Sequence, residues 1–203
     1  MTRTPAAFYF DLASPLAYLA AERILHVLPG PAEWRPVIAS ELGLAREEPR
    51  VEHAEIERRA RELELQPIRW PEPFPFDSSL AMRVATYAAS IGRAVPFAQA
   101  AFRQAFAGGH SLEDPDFVLI AAAACEMHPS AVLRGAELRS TAERLAASTA
   151  AAAQVGVTDV PAILAGERVY AGEGMLERAA GHIRGEAEPA YRLDVLRSGA
   201  SSR

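Results

Sequence analysis

The segment Phe8-Tyr-Phe-Asp-Leu-Ala-Ser-Pro-Leu-Ala-Tyr-Leu19 changes character at its centre. Its first half belongs to a short apolar run, Ala6 to Leu12, rich in aromatic residues and suited to a buried strand. Its second half opens on Ser14-Pro15. Serine is a favoured helix N-cap and proline is favoured at the first helical position, so a helix is predicted from Ser14 to about His26. Leu28-Pro-Gly-Pro31 stops it. Glu33 to Ile38 reads as a second strand, where Pro36 points to a sheet edge or a bulge. The unit is β-α-β, which implies two parallel strands and a right-handed crossover.

Outward from this unit the chain turns helical. Glu47 to Leu65 is rich in arginine and glutamate with helical spacing. Gln66 to Phe76 holds four prolines and three aromatic residues and cannot be regular structure. Further helices are predicted over Ser78–Ile91, Pro96–Ala107, Asp114–Met127 and Leu138–Val155, with Gly108-Gly109 between the second and third. Strands return at Pro161–Leu164 and Arg168–Tyr170, joined by the hairpin signal Ala165-Gly166-Glu167. Gly172-Glu173-Gly174 then leads into a helix over about Met175–Ile183, and Ser198 to Arg203 is expected to be disordered. The result is an α/β domain split in sequence, residues 1–40 and 156–185. A helical insertion spans 41–155 and a tail spans 186–203.

Composition narrows the chemistry. The chain has 203 residues, half of them hydrophobic and 23% charged, with a net charge of -5. That acidity argues against a nucleic-acid partner, which would need a basic patch. No apolar run nears the roughly 20 residues that span a bilayer, so no membrane partner is expected. Asp11, Pro15 and Glu22 interrupt the apolar start, which fits a signal peptide poorly, and a cytoplasmic protein is expected. Every basic residue other than histidine is arginine, so Schiff-base lysine chemistry and the usual phosphate-binding lysine loop are excluded. One cysteine, Cys125, rules out an intrachain disulfide, a CxxC redox pair and a multi-cysteine zinc site. His26, His53, His110, His128 and His182 show no metal-ligand spacing, so no metal is expected.

The order of elements is that of a thioredoxin-like fold with a large all-helical insertion, as in DsbA-like proteins. Four stretches carry a narrower resemblance. Phe8 to Leu19 resembles the FYFDxxSPxxYL opening of 2-hydroxychromene-2-carboxylate isomerases and kappa-class glutathione transferases. Arg69-Trp-Pro-Glu-Pro-Phe-Pro-Phe76 is similar to their RWPxxFP loop, and Gly156-Val-Thr-Asp-Val-Pro-Ala-Ile163 to their GVxGVPTF segment. Gly172 with Leu176, a leucine two positions nearer its glycine, resembles the GxxxxxL stretch that opens the last helix.

The resemblance implies a chemistry. Ser14 stands where redox relatives carry the first cysteine of CxxC, so Ser14-Pro-Leu-Ala17 has lost thiol–disulfide exchange. Glutathione would supply the thiol as a cosubstrate. A helix N-terminus stabilises anions and depresses thiol pKa, so Ser14 would hold the glutathione sulfur as a thiolate. The resemblance further implies a cis Val160–Pro161 bond, with the Val160 backbone pairing with the cysteinyl unit of the tripeptide. In the family the γ-glutamyl end is bound by a polar residue followed by aspartate; here Glu173 is followed by Gly174. Asp77-Ser78 stands where relatives commonly have Asn-Thr.

On the substrate side, Arg69 is a candidate for a carboxylate, a surface salt bridge being the equal alternative. Trp70, Phe74 and Phe76 read first as packing between insertion and core, and Trp70, Phe76 and Asp77 as candidate substrate contacts. Cys125 reads as a buried small residue. The implied activity is a glutathione-dependent isomerisation of a small aromatic or electrophilic substrate. One alternative is a transferase conjugating glutathione or another small thiol to an electrophile; the other is a non-catalytic thiol-binding protein. Relatives are often dimers, so a homodimer is also an expectation.

Overall fold

The computed structural model describes residues 5–43 and 52–186. Strand β1 (Ala6–Phe10), helix α1 (Pro15–Val27) and strand β2 (Ala32–Pro36) form the first unit, and β1 and β2 pair in parallel with Phe8 opposite Trp34. Strand β3 (Ala162–Ala165) pairs antiparallel with β1, and β4 (Arg168–Ala171) with β3. The sheet order β2-β1-β3-β4 leaves β2 at an edge, the place where Pro36 is tolerated.

Alternation along β1 divides the core in two. Phe8 and Phe10 face the larger cluster with Trp34, Phe102 and Ile163, and Ala7 and Tyr9 face a smaller one with Val37, Ala152 and Val157. Phe8 and Phe10 are fully buried, each contributing about 1.5–3 kcal/mol by removal from water. Their rings meet Trp34 edge-on at 5.0 and 5.8 Å, and Phe10 also meets Phe102.

The helical block contains α2 (His53–Glu62), α3 (Ser79–Ser90), α4 (Ala94–Phe106), α5 (Pro115–Ala123), α6 (Pro129–Glu137) and α7 (Arg139–Gln154), and α8 (Met175–Arg184) closes the fold. Two sequence expectations need correction. The helix expected over Asp114–Met127 ends at Ala123, and Glu126 takes a left-handed φ of 61°. After it comes α6, which periodicity does not reveal. Its start repeats the grammar of α1: the His128 side chain accepts from the Ser130 N–H and Pro129 follows the cap. The helix expected from Glu47 begins, within the described residues, at His53, and its first positions lie outside them, as does the tail from 187 onward.

Helices α3 and α6 touch closely at Gly135, where a Cβ would stand 2.4 Å from the Tyr87 ring. Gly135→Ala is therefore expected to destabilise the protein by about 1–3 kcal/mol. For a chain of this length each kcal/mol lowers Tm by about 2–4 °C. Thermal unfolding by circular dichroism checks this, and an unchanged Tm would contradict the close packing.

Candidate functional site

Ser14 ends the loop after β1 with an extended backbone (φ -91°, ψ 112°) and caps α1, its Oγ accepting from the Ala17 N–H at 3.2 Å. Because the oxygen accepts the cap bond, the hydroxyl hydrogen remains available to a group placed beside it. The Ser14 N–H itself donates to the Asp11 carbonyl at 3.0 Å.

The loop is held by Asp11, which is 5% exposed. Its Oδ1 accepts from the Ala13 N–H at 3.0 Å and from Ser78 Oγ at 2.7 Å, and its Oδ2 accepts from the Ala39 N–H at 3.0 Å. One carboxylate thus joins the entry to α1, the 3-10 turn Ala39–Glu41 after β2, and the start of α3. The neighbouring Leu12 N–H is satisfied by Met82 Sδ at 3.2 Å, a second tie to α3.

These three segments wall a cavity of about 320 Å³ that contains Ser14, Phe76, Asp77, Ser78 and Val160. Phe76 is buried and forms an apolar wall, while Asp77 is exposed. The Ser79 hydroxyl and N–H both donate to Asp77 Oδ1, and these bonds, hydroxyl first, hold its carboxyl below the usual carboxylate range.

A second cavity of about 300 Å³ lies along the far side of α1. It is bounded by Leu16 and Arg23 of α1, by Arg58 and Arg59 of α2, and by Pro161, Glu173 and Gly174. Asp159 and Val160 line both cavities, so the turn before β3 is the partition between them. The Val160–Pro161 bond is cis, as are Glu72–Pro73 and Phe74–Pro75. Arg178 holds the opposite rim by donating to the carbonyls of Ala171 and Glu173. Gly174 caps α8 with a φ of 66°, a left-handed conformation that glycine adopts without steric cost. Arg23 pairs with Glu177, Arg58 with Glu55 and Glu62, and Arg59 with Glu55.

The sequence-predicted residues therefore divide. Ser14, Phe76, Asp77 and Val160 share one cavity, and Val160, Pro161, Glu173 and Gly174 share the other. Arg69 and Trp70, which the sequence offers as candidate substrate contacts, line neither. Arg69 is exposed, its backbone N–H bonded to the Phe106 carbonyl at the close approach of Gly109. Trp70 stacks on His53 with ring centroids 3.7 Å apart, and its indole N–H donates to Glu57 at 2.8 Å. Its contacts anchor α2 to the proline-rich loop. Sequence reasoning passes over Arg23, Arg58, Arg59 and Asp159. The arginines give no motif, but Asp159 stands where the GVxGVPTF segment has glycine.

Cys125 follows α5, 6% exposed, its Sγ donating to the Ala121 carbonyl. Burial pushes its thiol pKa up, against a smaller opposing effect of Arg93. It lines neither cavity, and among the described residues no cluster of three or more metal-binding side chains exists. Among them, too, no helix is long and apolar enough to cross a membrane.

The chain matches the model of the DsbA-like thioredoxin domain over residues 7–184. Among solved structures it is similar to a 2-hydroxychromene-2-carboxylate isomerase, with a TM-score of 0.76 and 18% identity, covering 89% of this chain and 96% of that one. It is similar to a probable DsbA oxidoreductase from Streptomyces coelicolor, with a TM-score of 0.68, 18% identity and 94% of each chain covered. A third is the cytosolic disulfide reductase DsbM of Pseudomonas aeruginosa, solved with GSH, with a TM-score of 0.63, 12% identity, and 90% and 96% covered. At these identities the likeness is one of fold. No curated protein matches the chain.

Two outcomes are expected. Asp11→Ala leaves two partly buried backbone N–H groups and the buried Ser78 hydroxyl without their acceptor and should cost about 1–3 kcal/mol, read as a shift in the urea midpoint at unchanged m-value. An unshifted midpoint would remove Asp11 from its joining role. Cys125 should resist alkylation by iodoacetamide at pH 8 in the native state and react promptly once urea unfolds the protein, as followed by mass spectrometry.

Proposed function

Because the chain belongs to the DsbA-like thioredoxin domain family, we propose that it is a glutathione-dependent isomerase acting in the cytoplasm on a small aromatic carboxylate of the 2-hydroxychromene type. The observation that carries this reading is the place of Ser14. It caps α1 inside one cavity, with a second cavity lined by arginines and glutamates across Val160. Two cavities that share Asp159 and Val160, one of them holding a helix N-terminus, suit two substrates that react across that turn.

Thiol–disulfide exchange by a CxxC pair has no place at α1, since Ser14 and Ala17 occupy the positions such a pair would take. The residues present do fit a tripeptide thiol. The cavity beside Pro161 offers Arg23, Arg58 and Arg59 for carboxylates and Glu173 for an ammonium. The Val160 backbone lies between the cavities, where an extended cysteinyl unit would pair with it as a strand edge does. Bound there, the thiol would supply a nucleophile that adds to an electrophilic carbon of the substrate and leaves again after rotation about the neighbouring carbon–carbon bond.

The protein's own part is to keep that sulfur ionised and to hold the second substrate against it. The Ser14 hydroxyl donates to the sulfur while its oxygen stays bonded to the Ala17 N–H, and the partial positive charge of the α1 N-terminus favours the anion. Phe76 offers an apolar face to the aromatic substrate, with the hydroxyls of Ser40, Ser78 and Ser79 around it. Arg69 lies outside this cavity, and this reading gives it no contact with the substrate carboxylate.

A thiol transferase is the second reading. Gly174 favours it, because a left-handed glycine at the α8 cap offers no carboxylate to a γ-glutamyl ammonium. A small thiol other than glutathione would fit such a rim.

Purified protein incubated with 2-hydroxychromene-2-carboxylate should show a change in chromene absorbance that requires glutathione. Ser14→Ala should slow it on the order of tenfold or more, the scale of a lost hydrogen bond to an anion. It should also cost about 1 kcal/mol of stability through the lost cap. No glutathione-dependent change in the wild type, or a Ser14→Ala variant as fast as wild type, would overturn the reading. A thiol conjugate accumulating with other electrophiles would favour the transferase.

A further inference from the structure

The partition between the two cavities contains a group that the thiol reading leaves unused. Asp159 is half-buried, lines both cavities, and accepts the Val160 N–H on Oδ1 at 2.7 Å. Val160 is itself 4% exposed, and its backbone is the strip of chain that a strand-like ligand would approach. A backbone N–H has one proton to give. While the Asp159 carboxylate takes it, a ligand carbonyl cannot.

We propose that Asp159 is a specificity-determining residue whose carboxylate occupies the amide of Val160 and must be displaced before a peptide-like thiol can pair there. The inference rests on the preceding reading only in taking a cysteinyl thiol as the ligand of this strip. A carboxylate is a stronger acceptor than a peptide carbonyl, so the exchange disfavours a ligand that needs the Val160 N–H. A ligand that reaches Ser14 without using that amide meets no such competition. The arrangement therefore lowers the affinity for an extended tripeptide, which still binds once Asp159 is displaced, and leaves that of a compact thiol untouched by this exchange.

The charge of Asp159 acts in the same direction on any thiolate, so the two effects have to be separated. Asparagine retains an oxygen able to accept the Val160 N–H but carries no charge, whereas alanine removes both. The φ of Asp159 lies outside the left-handed region, so neither replacement is strained by the backbone.

Glutathione binding is measured by isothermal titration calorimetry on wild type, Asp159→Ala and Asp159→Asn, with cysteine as a compact thiol for comparison. Val160 amide exchange is followed in parallel by NMR. The expected result is glutathione bound about tenfold tighter by Asp159→Ala, the scale of a charge-assisted hydrogen bond removed from the free state. Asp159→Asn, which keeps a weaker acceptor, should fall between wild type and Asp159→Ala, and cysteine affinity should change no more in Asp159→Ala than in Asp159→Asn. The Val160 amide should exchange faster in unliganded Asp159→Ala alone. Equal glutathione affinity in wild type and Asp159→Ala would overturn the proposal. So would Asp159→Asn binding as tightly as Asp159→Ala, since charge and not the amide would then be the cause. If no form binds glutathione, the thiol reading itself fails and the proposal falls with it; binding by Asp159→Ala alone supports both.

Discussion

A buried carboxylate accepts three hydrogen bonds where β1 ends. Asp11 takes the N–H of Ala13, the N–H of Ala39 and the hydroxyl of Ser78, and so holds together the loop before α1, the turn after β2 and the first residues of the insertion's α3. A group of this kind is costly to bury unless its acceptor sites are used. Here they are used by the segments that surround Ser14. The cavity is thus shaped by the same interactions that make the Asp11 carboxylate tolerable in the interior, and the helix N-terminus is held in register with the proline-rich loop that supplies Phe76.

From that point the two halves of the candidate site follow different physics. The Ser14 side is an electrostatic device, with a capped helix end, a hydroxyl with a proton to give and an apolar wall. The Pro161 side is lined by arginines and glutamates from α1, α2 and the loop before α8. The arginines there are already paired with neighbouring glutamates on an exposed rim. Pairs of that kind hold little energy in water and exchange readily for a ligand carboxylate. Asp159 stands between the two cavities.

Much of the fold is legible in the residues themselves. Ser14-Pro15, Asp114-Pro115 and His128-Pro129 all open helices by the same local chemistry, yet only the first two stand out as starts, because α6 follows too closely on α5 for periodicity to separate them. The strand pairings are legible as well, since the hairpin at Gly166 and the β-α-β crossover leave few alternatives. Arg69 and Trp70 line neither cavity for a definite reason. Their motif identifies the loop, but which way the loop faces depends on Gly109 and on the stack of Trp70 upon His53, two contacts distant in sequence.

The sequence by itself determined most of the elements, α6 excepted, the cap at Ser14, the absence of a redox cysteine pair and the parallel first unit, because each depends on residues within a few positions of one another or on composition. Only the tertiary structure decided that Asp11 joins three segments, that Val160 and Asp159 lie between two cavities, and that Arg58 and Arg59 reach the site while Arg69 does not. Those outcomes depend on contacts between residues tens of positions apart, and local propensity holds no record of which distant surfaces come to share a wall.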